Sequence, residues 1–404
     1  MNKRSLKDLP DIALNGKRVL VRVDYNVPLE EGRVTDDKRI RETLPTLEYL
    51  LERDARIILV SHLGRPKGKW NDKYSLKRVA EHLKSLISAP VDYVADVVGP
   101  DAKAAVDALK QGSILLLENA RFLPGEETND PKLSEALAAF GDVYVNDAFG
   151  SAHRAHASTC GVAEVMKREK KPAVAGFLME KELRFLGQAV ANPEKPFVAI
   201  LGGAKISGKI DVIENLLPKV DQIIIGGAMA NTFFRAMDLE TGGSLVEEDR
   251  VELARELIER AGKKLLLPVD CVVAGDARPG IRTFTMDRDK VPPEGKIFDI
   301  GPKSVATFRD AIERARTILW NGPVGMFEIP EFSFGTEGIA RAVAEATARG
   351  ATTIVGGGDT AAAVEAAKLA DDMTHVSTGG GAALEFLEGK TLPGVEILDD
   401  GRSA

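Results

Sequence analysis

Short runs of β-branched and aliphatic residues recur along this chain. Each is followed by a polar or glycine-rich turn and then by apolar residues at helical spacing. In the first half the runs are Val19–Val23, Ile57–Val60, Ile114–Leu117 and Val143–Val145. In the second half they are Val198–Leu201, Ile223–Ile225, Leu265–Leu267, Ile318–Trp320, Thr353–Val355 and His375–Ser377. Several are continuous rather than alternating, as strands covered on both faces are. Strand alternating with helix predicts parallel sheets with crossover helices. Two such sets predict an α/β protein of two doubly wound, Rossmann-like domains joined by a hinge helix.

The charged run Lys167–Pro172 reads as a solvated loop, and Phe177–Val190 carries apolar residues at helical spacing until Asn192–Pro193 stops it. The expected division is a first domain at 1–175, a connecting helix at 176–193 and a second domain at 194–391. The tail 392–404 is too short for a domain and could fold back on the first half. A length of 404 residues suits two domains.

Charge narrows the choice of ligand. With 54 basic and 61 acidic residues the net charge is -7, so no overall positive field draws in nucleic acid or an anionic membrane. Any anion site must be built locally. Cys160 and Cys271 lack the spacing of a disulfide framework or zinc site, which suits a reducing compartment. Met1–Pro10 is polar and charged, and no apolar run approaches the roughly 18 residues that span a bilayer. A cytoplasmic protein is expected.

In open α/β sheets ligands bind at the carboxyl ends of strands. Four consecutive strand ends in the first half deliver His62, Arg65, Arg121, His153, Arg154 and His156 towards one edge, and Arg39 follows the Asp36-Asp37 turn. Arginine forks match carboxylate and phosphate oxygens. With Asp24 and Asn26 added, the set suits a ligand bearing phosphate and hydroxyl groups. The histidines lack metal-ligand spacing, and neighbouring arginines would repel a cation.

The second half offers backbone instead. Glycine turns follow its strands at Gly202–Lys209, Gly226–Ala228, Gly356–Ala361 and Gly379–Ala382. Such turns let N–H groups approach phosphate oxygens. Gly203 to Lys209 nearly matches a P-loop, but Ile210 stands where Ser or Thr would bind magnesium. An early helix start would put Lys205 and Lys209 on one face, with no carboxylate nearby, facing a polyphosphate. Asp359 is either a helix N-cap or a ligand of nucleotide-bound magnesium, and both readings stay open. Thr360 could assist at phosphates, and Asn321 and Glu328, around the Gly322–Gly325 loop, could bond ribose or phosphate.

These motifs together resemble the phosphoglycerate kinase family. The resemblance rests on Arg22–Pro28, Ser61–Pro66, Asn119–Phe122, Asn146–His156, Leu201–Lys209, Asn321–Glu328, Gly356–Ala361 and Ser377–Gly381, in order along nearly the whole chain. It implies a monomeric, magnesium-dependent kinase of glycolysis and gluconeogenesis. Such an enzyme moves a phosphoryl group reversibly between 1,3-bisphosphoglycerate and ADP, giving 3-phosphoglycerate and ATP, after domain closure. It further implies a 3-phosphoglycerate site of Asp24, Tyr25, Asn26, Arg39, His62, Leu63, Gly64, Arg65, Arg121, His153 and Arg154. A nucleotide site would comprise Lys205, Lys209, Asn321, Glu328, Gly357, Gly358, Asp359 and Thr360, with Asp359 on the metal. Arg39, Lys205, Lys209 and the Gly379, Gly380 and Gly381 amides would stabilise the moving phosphoryl group. The sequence departs from the family at Tyr25, usually Phe. It departs again at Gly295–Pro302, where a glycine beside the adenine would fall near Ile297. The rival readings are a nicotinamide-dependent dehydrogenase, which lacks its GxGxxG after the first strand, and a catalytically silent nucleotide-binding protein.

Overall fold

The structure, a computed structural model, describes residues 2–401 apart from the side chains of Gln188 and Ala189. Residues 402–404 of the expected tail lie outside the described residues. The chain forms two compact units, Met1–Arg184 with Thr391–Ala404, and Phe185–Lys390. The division falls inside the connecting helix Phe177–Ala191 rather than at its ends. The first turns of that helix are tied to the first unit. Phe177 N–H donates to Thr46 Oγ1 at 2.9 Å, Met179 N–H to Asp147 Oδ1 at 3.1 Å, and Lys181 pairs with Glu42 at 2.9 Å.

In the first unit six parallel strands run in the spatial order Val91–Tyr93, Ser113–Leu116, Arg56–Val60, Arg18–Val23, Val143–Asp147 and Ala173–Ala175. The chain starts at Arg18–Val23, winds to one edge and returns to the other side of its starting strand. The second unit repeats the plan with Leu265–Leu266, Gln222–Ile225, Phe197–Leu201, Thr317–Asn321, Thr352–Gly356 and His375–Val376. Its switch lies between Phe197–Leu201 and Thr317–Asn321. Every residue of those two strands is buried, as the continuous apolar runs require.

Three features exceed the expectation. Val91–Tyr93 and Ala173–Ala175 are edge strands of three residues, too short for a period to register. Asp270–Ala274 pairs antiparallel with Phe284–Asp287 and Lys296–Ile300, with a register shift between Val272 and Val273 that breaks any alternation. The third is a small hairpin, Leu29–Glu30 with Arg33–Val34. Among the described residues no helix is long and apolar enough to cross a membrane.

Each sheet has its own core. Val19, Val21, Ile57 and Leu59 belong to that of the first unit. Trp320, Phe308, Ile312 and Val343 belong to that of the second. The C-terminal segment joins the first unit. Asp399 N–H donates to Ala173 O at 2.8 Å, Arg4 N–H to Asp399 O at 2.8 Å, and Asn146 Nδ2 to Gly394 O at 2.9 Å. Leu392, Val395 and Leu398 are fully buried. Leu398→Ala is expected to cost about 2–5 kcal/mol of the first unit's stability by opening a cavity. Urea unfolding followed by a probe in that unit would measure it, and a loss within error would place Leu398 in solvent.

Candidate functional site

The polar residues of the first unit converge on one network at the carboxyl end of its central strand. Asp24, one residue past Arg18–Val23, accepts from Arg39 Nη1 at 3.2 Å and lies 3.9 Å from His62 Nδ1. Arg39 reaches it from the short helix Lys38–Arg41 and also donates to Asn26 O at 3.3 Å. Asn26 Oδ1 accepts from Gly64 N–H at 2.9 Å, and Gly64 O accepts from Arg121 Nη1 at 2.9 Å. Asn119 fixes the Arg121 turn, donating to Leu63 O and Tyr74 O at 2.7 and 2.9 Å while accepting from Arg121 N–H at 3.0 Å. Arg65 and Arg154 are exposed, and among the described residues no carboxylate pairs with either. His153 and Arg154 lie close enough to depress the basicity of His156.

Two expected site residues face the other way. The Tyr25 ring is fully enclosed in the core and its hydroxyl meets Thr43 Oγ1 at 3.0 Å, so the side chain supports the strand end from behind. Leu63 is likewise a core residue. Burying such a side chain is worth about 1.5–3 kcal/mol, so both contribute to the core beneath the site.

One arginine escaped the expected set. Arg22 lies within Arg18–Val23, wholly buried, with Nη2 3.0 Å from His62 Nδ1 and Nε donating to Ser158 Oγ at 2.7 Å. Its only sequence signal is a charged residue inside the run Val19–Val23.

Electrostatics sort these groups. Burial works against the Asp24 carboxylate, but Arg39, His62 and Arg22 together hold its pKa below the usual value. Burial pushes His62 well below its ordinary value, reinforced by Arg22, Arg121 and Arg39 and opposed by Asp24. His156 falls from 6.5 to about 4 through burial and the arginines around it. At neutral pH the arginines are therefore charged and the His62 and His156 rings neutral, with Asp24 as a counter-charge. It can bind an anion through its free arginine forks and a hydroxyl through its histidines and Asn26.

In the second unit the glycine turns interlock at the switch point. Gly202 N–H donates to Asn321 O at 3.0 Å, Gly203 N–H to Pro323 O at 3.0 Å, and Gly227 N–H to Val324 O at 2.9 Å. A Cβ on Gly227 would stand 2.6 Å from the Gly203 nitrogen, and the φ of Gly227, +68°, disfavours any side chain there. Beside the interlocked turns lies a cleft of about 200 Å³. Gly203, Gly227, Ile297, Phe298, Glu328 and Asp359 are among its walls. Ile297 and Phe298 reach it from the antiparallel strand Lys296–Ile300 that the sequence pattern did not disclose.

The lysines differ from expectation. The helix begins at Ile210, with Lys209 as its N-cap residue, and Gly202–Lys209 is an irregular turn. Lys205 and Lys209 therefore share no helical face, the turn passing through Gly203 at φ +114° before the helix starts. Nor are they free of carboxylates. Lys205 lies near Glu247, whose carboxylate holds Ser207 N–H and hydroxyl, and Lys209 feels Asp359 and Glu388. The Lys209 amine donates to Asn321 Oδ1.

Asp359 is not the cap. Gly357, at φ +90°, occupies that position before Gly358–Ala366, and Asp359 stands exposed in the first turn. Thr360 is buried and accepts Gly322 N–H at 2.6 Å, so it braces the loop. Gly379 N–H is taken by Ser377 Oγ at 3.0 Å, which leaves Gly380 and Gly381 at the start of Gly381–Leu387. An exposed carboxylate beside an amine and open amides suits a polyphosphate with its divalent cation.

The model of the phosphoglycerate kinase family matches residues 9–390. The phosphoglycerate kinases of Chlorobium limicola and Chloroflexus aurantiacus are each 56% identical to this chain. The matches cover 98% of this chain and 99% of the first protein, and 99% of this chain and 100% of the second. Among solved structures, phosphoglycerate kinase from Coxiella burnetii aligns with a TM-score of 0.86 at 43% identity, and that from Pyrococcus horikoshii OT3 with 0.83 at 32%. Each alignment covers 98% of both chains.

Burial pushes the Lys209 ammonium down from 10.5 to about 8, against the pull of Asp359 and Glu388. A lysine more acidic when folded subtracts stability wherever it is protonated. That loss is full below about pH 8 and fades as pH rises towards the unfolded value of roughly 10.4. Between pH 7 and pH 10 the midpoint difference between Lys209→Met and the wild type should therefore move in favour of the wild type. Thermal melts at both pH values measure it, and a constant difference would mean that the amine is solvated.

Proposed function

The chain belongs to the phosphoglycerate kinase family, and on that premise we propose that its first unit binds 3-phosphoglycerate and its second binds ATP or ADP with magnesium. The reaction itself is the family's: reversible phosphoryl transfer between 1,3-bisphosphoglycerate and ADP, a step of glycolysis. The observation that carries the assignment of sites is the Asp24–Arg39–His62 network at the switch point of the first sheet. Arg65, Arg121, His153 and Arg154 surround the acid's phosphate, and Arg39 and Asn26 face its carboxylate and hydroxyl. In the second unit the apolar wall of Ile297 and Phe298 takes the base. Lys205, Lys209 and the Gly357, Gly358, Gly380 and Gly381 amides take the phosphates, with Asn321 and Glu328 beside them. Two buried free cysteines suit action in the cytoplasm.

The donor set fits magnesium, since Asp359 is an exposed carboxylate in the nucleotide cleft that caps no helix. Asp359 would hold the ion together with nucleotide phosphates, where its charge offsets that of the polyphosphate. The protein's own residues do the rest. In the ATP-consuming direction the nucleophile is the substrate carboxylate, ionised at pH 7 without help. No general base is required, and His62, kept neutral by burial, need not remove a proton. Catalysis reduces to placing two polyanions in line and stabilising charge on the moving phosphoryl group. Arg39 supplies that charge from the acid side, and Lys209 and Lys205 supply it from the nucleotide side. Because the acid and nucleotide groups belong to different units, turnover requires closure about Phe177–Ala191 with water excluded.

A coupled assay with 3-phosphoglycerate and magnesium ATP tests the reading. Arg39→Ala is expected to lower kcat by about 10²-fold or more, as loss of a charge-stabilising donor does. The KM for ATP should change little. Equal losses in turnover and ATP binding would remove Arg39 from its role. Asp359→Asn should raise the magnesium concentration needed for half-maximal rate, and an unchanged requirement would move the ion elsewhere.

A further inference from the structure

Behind the acid cluster lies a chain of enclosed polar groups that phosphoryl transfer does not call on. Ser158 Oγ accepts from Arg22 Nε at 2.7 Å and itself donates to Glu126 Oε1 at 2.6 Å. The Ser158 N–H donates to the other carboxylate oxygen, Oε2, at 3.0 Å. Arg22, Ser158 and Glu126 are all fully buried. A buried carboxylate is costly unless its charge is answered, and here a serine stands between it and the guanidinium. The hydroxyl can bridge them in one orientation only, accepting from arginine and donating to glutamate.

The far end of this chain is His62. Arg22 Nη2 lies 3.0 Å from His62 Nδ1, and a guanidinium has donors alone. Nδ1 must therefore accept, which leaves the proton of the neutral ring on Nε2. The charged groups around the ring are Asp24, Arg22, Arg121 and Arg39. Asp24 is 3.9 Å from Nδ1, too far to claim that nitrogen by a hydrogen bond.

We propose that Glu126 and Ser158 are positioning residues, which hold Arg22 in register so that His62 is locked in its Nε2–H tautomer as a donor to the acid substrate. The proposal rests on the assignment of the first unit's cluster to that substrate. Arg22 Nη1 also donates to Val23 O, so loss of the relay leaves the guanidinium held at that one nitrogen, free to pivot about it and to let the ring populate both tautomers. Binding of the acid then weakens, while nucleotide binding, confined to the other unit, stays as it was.

The test uses the full-length chain. In ¹⁵N-histidine-labelled, ligand-free protein, long-range ¹H–¹⁵N spectra should show His62 with an unprotonated Nδ1 and a protonated Nε2. This measurement needs no variant, and a protonated Nδ1 overturns the relay. Ser158→Ala and Glu126→Gln should move the His62 signals towards a tautomer mixture. They should also raise the KM for 3-phosphoglycerate by up to about tenfold, the worth of one good hydrogen bond, with the KM for ATP unchanged. Unmoved His62 signals in both variants overturn the positioning role. A tautomer shift with an unaltered KM for 3-phosphoglycerate upholds the relay and instead removes the acid substrate from this cluster.

Discussion

Cations packed at one sheet edge repel each other, and the first unit depends on the way Asp24 answers that repulsion. Its carboxylate follows the central strand directly, receives Arg39 and lies within reach of His62 and Arg22. Burial alone would make Asp24 a weaker acid, yet the surrounding cations win and keep it charged. One carboxylate thus balances part of a larger basic set and leaves Arg65 and Arg154 unpaired for a ligand. A fully paired cluster would have no charge left to bind an anion.

The second unit answers the same need for positive potential by other means. Its turns expose backbone amides, which cost no charge burial and carry no counter-ion. Close approach of the turns, at Gly202 and Gly227 above all, makes glycine obligatory there. Lys209, a cation drawn inwards beside these turns, has its basicity reduced as a result. Both solutions sit where the winding of a sheet reverses, because there the flanking loops part and leave room for a ligand.

Much of this was legible in the residues. Continuous apolar runs marked the central strands, and polar residues within a few places of their ends marked Asp24, Asn26, His62 and Arg121. What stayed hidden depended on burial, which periodicity does not report. Tyr25 and Leu63 sit between site residues in sequence but pack beneath them. Glu126 lies in the polar stretch Gly125-Glu126-Glu127, which reads as solvated loop, yet it is fully enclosed. Arg22 looked like an interruption of a strand. The lysine pair was misplaced because glycines on both sides of Lys205 delay the helix, a backbone effect stronger than the i, i+4 spacing. The antiparallel strands behind Ile297 were hidden by their register shift.

The C-terminal segment has a bearing on how the molecule is made. Asp399 and Gly394 pair with Ala173 and Asn146, and Gly401 N–H donates to Asn2 O at 2.9 Å. The first unit is therefore closed by a segment that follows the whole of the second unit in sequence. Phe185–Lys390 is contiguous in sequence and has all its strands before that segment is made. The usual order, in which the N-terminal domain is completed first, is reversed here. An edge strand, and the loop that carries His153 and Arg154, wait for the segment after Lys390, so a chain cut at Lys390 has its acid half unfinished and its nucleotide half whole.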